Sequence, residues 1–157
     1  MRKRILAFML ALSFGVSAFV VGNVTVEAEE PVGYSEDVDI SYVLTEDALV
    51  GYAELKNRGV YLAEGYSSIN DAGAGRIGCG GVTNAAVRCT VSVVSVVERK
   101  EDGVWCYVTS WTKTNTNSYT ASISKYLYVA SGYYYRVRSV HDAGTDSSSS
   151  WTDGLWM

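Results

Sequence analysis

The chain has 157 residues, 48% hydrophobic and 19% charged, with a formal net charge of −4. That length suits one domain, and the composition excludes a wholly disordered chain and a multi-span membrane protein. One histidine, three cysteines and no clustered ionisable groups leave little for hydrolytic or metal-dependent chemistry, and the acidic balance argues against nucleic acid as a partner.

The first element is a leader. Met1-Arg2-Lys3-Arg4 is followed by Ile5 to Gly22 without a charge and then by Val26-Glu27-Ala28. A basic start, an apolar run and a small-residue site predict a secretory signal peptide over 1–28, with Val16-Ser17-Ala18 as a competing cleavage site. The protein would then be secreted, meeting the membrane only in transit. Losing Arg2, Lys3, Arg4 and Glu27 leaves 10 bases against 16 acids, a net charge of −6.

The remaining charge is uneven. Residues 29–64 hold nine acids against Lys56 and Arg58, whereas 65–157 hold seven acids and eight bases. Residues 29–43, with Glu29, Glu30, Glu36, Asp37 and Asp39, read as a mobile acidic arm that is dispensable for folding and only weakly attracted to Arg136 and Arg138. Thr45-Glu46-Asp47 could cap a short helix carrying Leu49, Tyr52 and Leu55, stopped by Gly59. Arm and helix together make a segment 29–58 ahead of a domain at 59–157.

From Gly59 the apolar period becomes two. Glycines between Asp71 and Gly81 punctuate short pieces. Ala85 to Arg99 is the longest strand-like run, with Val87, Cys89, Val91 and Val93 alternating against Arg88, Thr90 and Ser92. Val94 and Val96 break that phase and predict a bulge or a break there. Lys100-Glu101-Asp102-Gly103 is a turn into the partner strand Val104 to Thr112, a hairpin that would set Cys106 opposite Glu98. Lys113 to Asn117 reads as a polar loop. Tyr119, Ala121, Ile123, Leu127 and Val129 line one side of the next strand, and Ala130-Ser131-Gly132 turns the chain. Tyr133, Tyr135, Val137 and Ser139 then alternate with Tyr134, Arg136, Arg138 and Val140, and a serine-rich loop, Asp142 to Ser150, leads to a last strand ending at Trp156. Seven or eight short strands predict an all-β, Ig/fibronectin type III-like antiparallel β-sandwich preceded by a signal peptide and an acidic arm.

The stretch Gly132-YYYRVRSVHDA-Gly144 resembles the penultimate strand of fibronectin type III modules, and the resemblance puts Tyr133 where that fold's corner tyrosine sits. It departs upstream, where the tryptophan and prolines of those modules have no counterpart. The order Arg58-Gly-Val-Tyr-Leu, INDAGAGRIGCGGVTNAAVRCTV (69–91), ERKEDGVW (98–105), TSW (109–111) and YYYRVR resembles a family of small, secreted, functionally uncharacterised proteins of Gram-positive bacteria. That similarity covers roughly 58–157 and implies a secreted β-fold without an activity.

Few residues invite chemistry. His141 could join a serine among Ser139 and Ser147 to Ser150 and an acid, Asp142 or Asp146, but no nucleophile signature accompanies it, so it reads as a surface histidine at a strand end. Cys79, Cys89, Cys106 and His141 contain no close pair of the kind that marks a zinc site, and no cofactor is expected. In an exported protein one disulfide is expected, with Cys79 and Cys89 the candidates. Tyr134, Arg136 and Arg138 share one face of a strand whose other face supplies the core, and two cations beside a ring suit an anionic or aromatic partner. Pairing with cross-strand carboxylates is their alternative use. The expected function is a non-catalytic binding or surface-interaction module, with a protein or carbohydrate ligand at the cell surface. A toxin-like effector and a hydrolase with an unrecognised site are the rivals.

Overall fold

Alternation from Leu62 onward becomes strand almost without interruption. The computed structural model describes residues 32–54 and 59–157; the expected signal peptide, the first residues of the arm and 55–58 lie outside them. The strands are β1 (Ser35–Asp37), β2 (Leu49–Tyr52), β3 (Leu62–Gly73), β4 (Arg76–Glu101), β5 (Val104–Tyr128), β6 (Tyr134–Ala143), β7 (Asp146–Trp151) and β8 (Leu155–Trp156). A 3-10 turn at Ile40–Tyr42 is the only helical element among the described residues. Every pairing is antiparallel, as expected for an Ig/fibronectin type III-like sandwich.

The β4–β5 ribbon organises the rest. The first half of β4 pairs with β3 and its second half with β6, while β5 pairs with both halves. Register shifts between Asn84, Cys89 and Val91, opposite Asn117 with φ of 50°, bend the ribbon between these halves. One ribbon thus serves two layers, which is how sandwiches turn a corner. One layer runs β1-β5-β4-β3-β2; the other adds β6 to β4 and then β7 and β8 to β6. At the far end of the ribbon, Asp102 and Gly103 both have positive φ, 48° and 85°, as a two-residue type I′ hairpin requires.

The core divides into two apolar clusters. Ile69, Ile77, Cys79, Val97, Leu127, Val129, Tyr135 and Val137 form one, and Leu62, Ala85, Val91, Val93, Ala121, Ile123 and Ala143 form the other. Along β3, β4 and β6 the residues between these groups are polar and buried: Ser67, Thr83, Ser95, Ser139 and His141.

Several expectations are corrected. The acidic arm is not loose: β1 pairs with β5, Glu36 meets Arg76 at 3.4 Å, Asp37 meets Lys125 at 2.7 Å, and Val43 is fully buried. Asn70 Nδ2 donates to the Tyr42 carbonyl and to Thr45 Oγ1, each at 3.1 Å, which fastens the segment further. Among the described residues, Glu36 and Asp37 pair with Arg76 and Lys125 and not with Arg136 or Arg138. The helix expected after Thr45 is strand β2, because ladder bonds to β3 outweigh a 3.6-residue spacing interrupted by Gly51. Gly51 is needed there, since a Cβ would lie 1.7 Å from the Trp151 carbonyl oxygen.

Within the ribbon, 113–117 is not a loop but part of β5, paired up to Asn115 with Val91. Val91, Val93, Ser95 and Val97 keep one buried phase, so no bulge lies at Val94; the register shifts fall before Val91 and between Val97 and Glu98. A buried serine had disguised an unbroken alternation. Cys106 is opposite Arg99, one residue from its expected partner. Asp146–Trp151 forms a strand from what reads as a serine-rich loop. The tyrosine that bonds back to the preceding turn is Tyr135 and not Tyr133: its hydroxyl donates to the Ala130 carbonyl at 2.9 Å.

Candidate functional site

β6 separates its side chains as alternation demands. Tyr135, Val137, Ser139 and His141 are buried, whereas Tyr134 is exposed and Arg136 and Arg138 are partly exposed on the outer face. Pairing enlarges that face beyond the three residues legible in sequence. Opposite residues share a side, so Trp156 joins Tyr134, Glu98 joins Arg136, Trp151 joins Arg138, and Lys100 with Trp105 continues the row.

The contacts are specific. The Tyr134 and Trp156 rings meet edge to face with centroids 4.9 Å apart. The Arg136 guanidinium sits 4.4 Å from the Trp105 ring centroid, with the Lys100 ammonium 5.7 Å from the same ring. Arg136 Nε donates to Glu98 Oε2 at 2.7 Å and Arg138 Nε to Glu98 Oε1 at 3.5 Å. One carboxylate therefore holds two guanidiniums in place, which was the alternative use foreseen for them. Both are bound through Nε alone; among the described residues no hydrogen bond engages their Nη groups. Gly154 lies beneath this cluster, where a Cβ would come within 3.2 Å of Trp105 Cη2. Sequence reasoning missed Trp105, Trp151 and Trp156 because only strand pairing brings them beside β6.

His141 is not at the surface. Its ring is completely buried, with Nδ1 2.8 Å from Thr83 Oγ1 and Nε2 2.8 Å from Ser150 Oγ. Thr83 Oγ1 donates to the Ser92 carbonyl at 2.9 Å, so in the neutral ring it accepts from Nδ1–H, and Nε2 accepts from Ser150. The chain continues from Ser150 Oγ to Ser67 Oγ at 2.6 Å, then to Ser139 Oγ at 2.9 Å and Ser95 Oγ at 3.1 Å. Burial lowers the ring's pKa from 6.5 to about 4, opposed weakly by the charge of Asp142. Gly65 and Gly81 make room for this seam: a Cβ on the first would lie 2.5 Å from the His141 ring, and one on the second 2.5 Å from Ser139 Oγ.

A serine does approach the histidine, but the relay of a hydrolase is not assembled. The group on Nδ1 is Thr83, while the Asp142 carboxylate accepts from Ser92 Oγ at 3.2 Å and Asp146 accepts from the amides of Tyr61 and Leu62 at 2.7 and 3.0 Å. The expected disulfide is not formed either. All three cysteines are free, and Cys79 and Cys89 lie on one extended strand ten positions apart. At about 3.3 Å per residue that separation far exceeds the reach of a disulfide. Burial pushes the Cys79 thiol up to about 12. No group of three His, Cys, Asp or Glu side chains converges among the described residues.

Clefts also open on the surface of the described residues. One of about 600 Å³ is lined by Glu54, Leu62, Val140, Asp146, Ser148 and Trp151 among others, and one of about 530 Å³ lies between Asp37, Asp39, Trp111 and Lys125.

Fold and surface together define an antiparallel all-β sandwich with an aromatic and arginine-bearing outer face. The family model described as "Family of unknown function (DUF6147)" matches residues 24–154, and the chain belongs to that family. No curated protein and no solved structure matches it.

Proposed function

We propose that the protein is a secreted, non-catalytic binding module that engages a protein or carbohydrate at the cell surface through the outer face of β6. The observation that carries this reading is the row Trp105, Arg136, Arg138, Tyr134 and Trp156. Its aromatic rings are presented outward, and its guanidiniums are fixed by Glu98 without using their Nη donors. Rings and arginines in such rows supply much of the affinity of binding surfaces. The sealed position of the sole histidine supports a role without acid–base catalysis, since a general base must reach its substrate. The leader supports export.

Fluorescently labelled protein lacking residues 1–28 is expected to bind the surface of the producing cells. The double variant Tyr134→Ala/Trp156→Ala should bind at least ten-fold less while melting cooperatively. Equal binding by the two proteins would refute the assignment of this face. Mass spectrometry of the protein from culture medium should show an N-terminus near Glu29, and a species retaining Met1 would refute the leader.

A further inference from the structure

Resting on that binding reading, we infer that the ligand of the outer face is an acidic polysaccharide, with sugar rings stacked on Trp156 and Tyr134 and carboxylates received by Arg136 and Arg138. The chemistry follows from how the charges are arranged. Glu98 is 12% exposed and lies between the two guanidiniums, so it fixes them while cancelling only one of their two charges. Lys100, beside Trp105 on the same face, adds a third cation. The next acid on this face, Asp142, stands at the far end of β6 and is engaged by Ser92.

Each guanidinium is bound through Nε, which leaves the Nη1/Nη2 edge free among the described residues. That edge is the fork that matches a carboxylate bidentately. Arg138, with 43% of its side chain exposed, is the more accessible of the two. The rings are spaced along the same line. Tyr134 and Trp156 stand at one end of β6, and Trp151, opposite Arg138, stands farther along it. From Tyr134 to Arg138 the strand rises about 13 Å, so rings and cations alternate over more than one sugar unit. A peptide could use the rings but would find no free strand in the middle of this sheet with which to pair. A bare polyanion would use the cations alone. Only a ligand carrying both ring faces and carboxylates uses the whole row.

The overall charge makes the test sharp. Without its leader the chain carries 10 bases and 16 acids, so a polyanion is repelled in general and can be held only by a local match. Binding of residues 29–157 to immobilised polygalacturonate, dextran and poly-glutamate is measured by surface plasmon resonance at about 0.15 M salt, where long-range fields are screened. Polygalacturonate should bind at least ten-fold more tightly than either of the others. Trp156→Ala at an exposed position and Arg138→Gln at a partly exposed one should each weaken it ten-fold without changing the circular dichroism spectrum.

Equal binding to dextran would overturn the role of charge, and equal binding to poly-glutamate would overturn the role of the rings. If none of the three binds while cell-surface binding still depends on Tyr134 and Trp156, the ligand class is wrong and the binding reading stands. A concentration-dependent dimer abolished by Trp156→Ala would assign the face to a second copy of the chain and overturn the inference.

Discussion

Acidification should loosen this sandwich from the inside. In the folded state His141 is buried between Thr83 and Ser150 with its pKa lowered to about 4, against 6.5 for a free imidazole. The unfolded chain therefore takes up a proton at a higher pH than the folded one. The seam's contribution is fully present above pH 6.5, declines as pH falls from 6.5 to 4, and is lost below that. At about 1.4 kcal/mol per unit, the loss totals about 3 kcal/mol, a large share of the stability of a domain this size. A second ring proton would also turn Ser150 from donor to acceptor and force the hydroxyl chain through Ser67 and Ser139 to reorient.

Urea unfolding at pH 7.5, 5.5 and 3.5 measures the effect. His141→Gln serves as the reference, because an amide keeps a donor and an acceptor without titrating. Carboxylates elsewhere affect both proteins alike, so the difference between the two curves isolates the ring. It should shrink by about 3 kcal/mol from pH 7.5 to 3.5. Parallel curves would mean that the ring accepts its proton in place, and the sealed-seam reasoning would be refuted.

Other outcomes follow from the packing. Gly65→Ala places a Cβ 2.5 Å from the His141 ring and should cost about 1–3 kcal/mol by overpacking, read as a lowered unfolding midpoint. Tyr135→Ala should destabilise by about 3–5 kcal/mol and Tyr135→Phe by about 1 kcal/mol for the lost bond to Ala130, with Arg136→Ala milder than Tyr135→Ala in the same denaturant titration. Deleting residues 29–43 removes β1, Val43 and both arm ion pairs, so the midpoint should fall by many degrees; an unchanged melt would restore the loose-arm expectation. Alkylation of the native protein should label Cys89 and Cys106 quickly and leave Cys79, buried with its pKa pushed up to about 12, unmodified until denaturant is added.

What could be read from sequence was what strict alternation encodes. The hairpin at Asp102-Gly103 and the two faces of β6 follow from short-range pattern and turn chemistry, and the structure has both. Errors fell where a residue's environment is set by a distant strand. Ser95 sits at a core position because Ser139 receives it, and Ser147 to Ser150 form a strand because β6 lies beside them, so serine content misled in both places. His141 looked exposed because nothing local shows that Thr83 and Ser150, from β4 and β7, enclose its ring. The acidic segment looked mobile because composition averages its charges, whereas β1 sets Glu36 near Arg76 and Asp37 opposite Lys125. The candidate face was legible as Tyr134, Arg136 and Arg138, but the three tryptophans that enlarge it come from other strands.

The most direct test of the binding account is where a ligand perturbs the protein. Oligogalacturonate titrated into isotope-labelled residues 29–157 should shift the amide signals of 134–138 together with the indole signals of Trp105, Trp151 and Trp156, leaving the Glu54, Asp146 and Ser148 side of the cleft that Trp151 borders unmoved. Shifts confined to that cleft, with the β6 face silent, would contradict it.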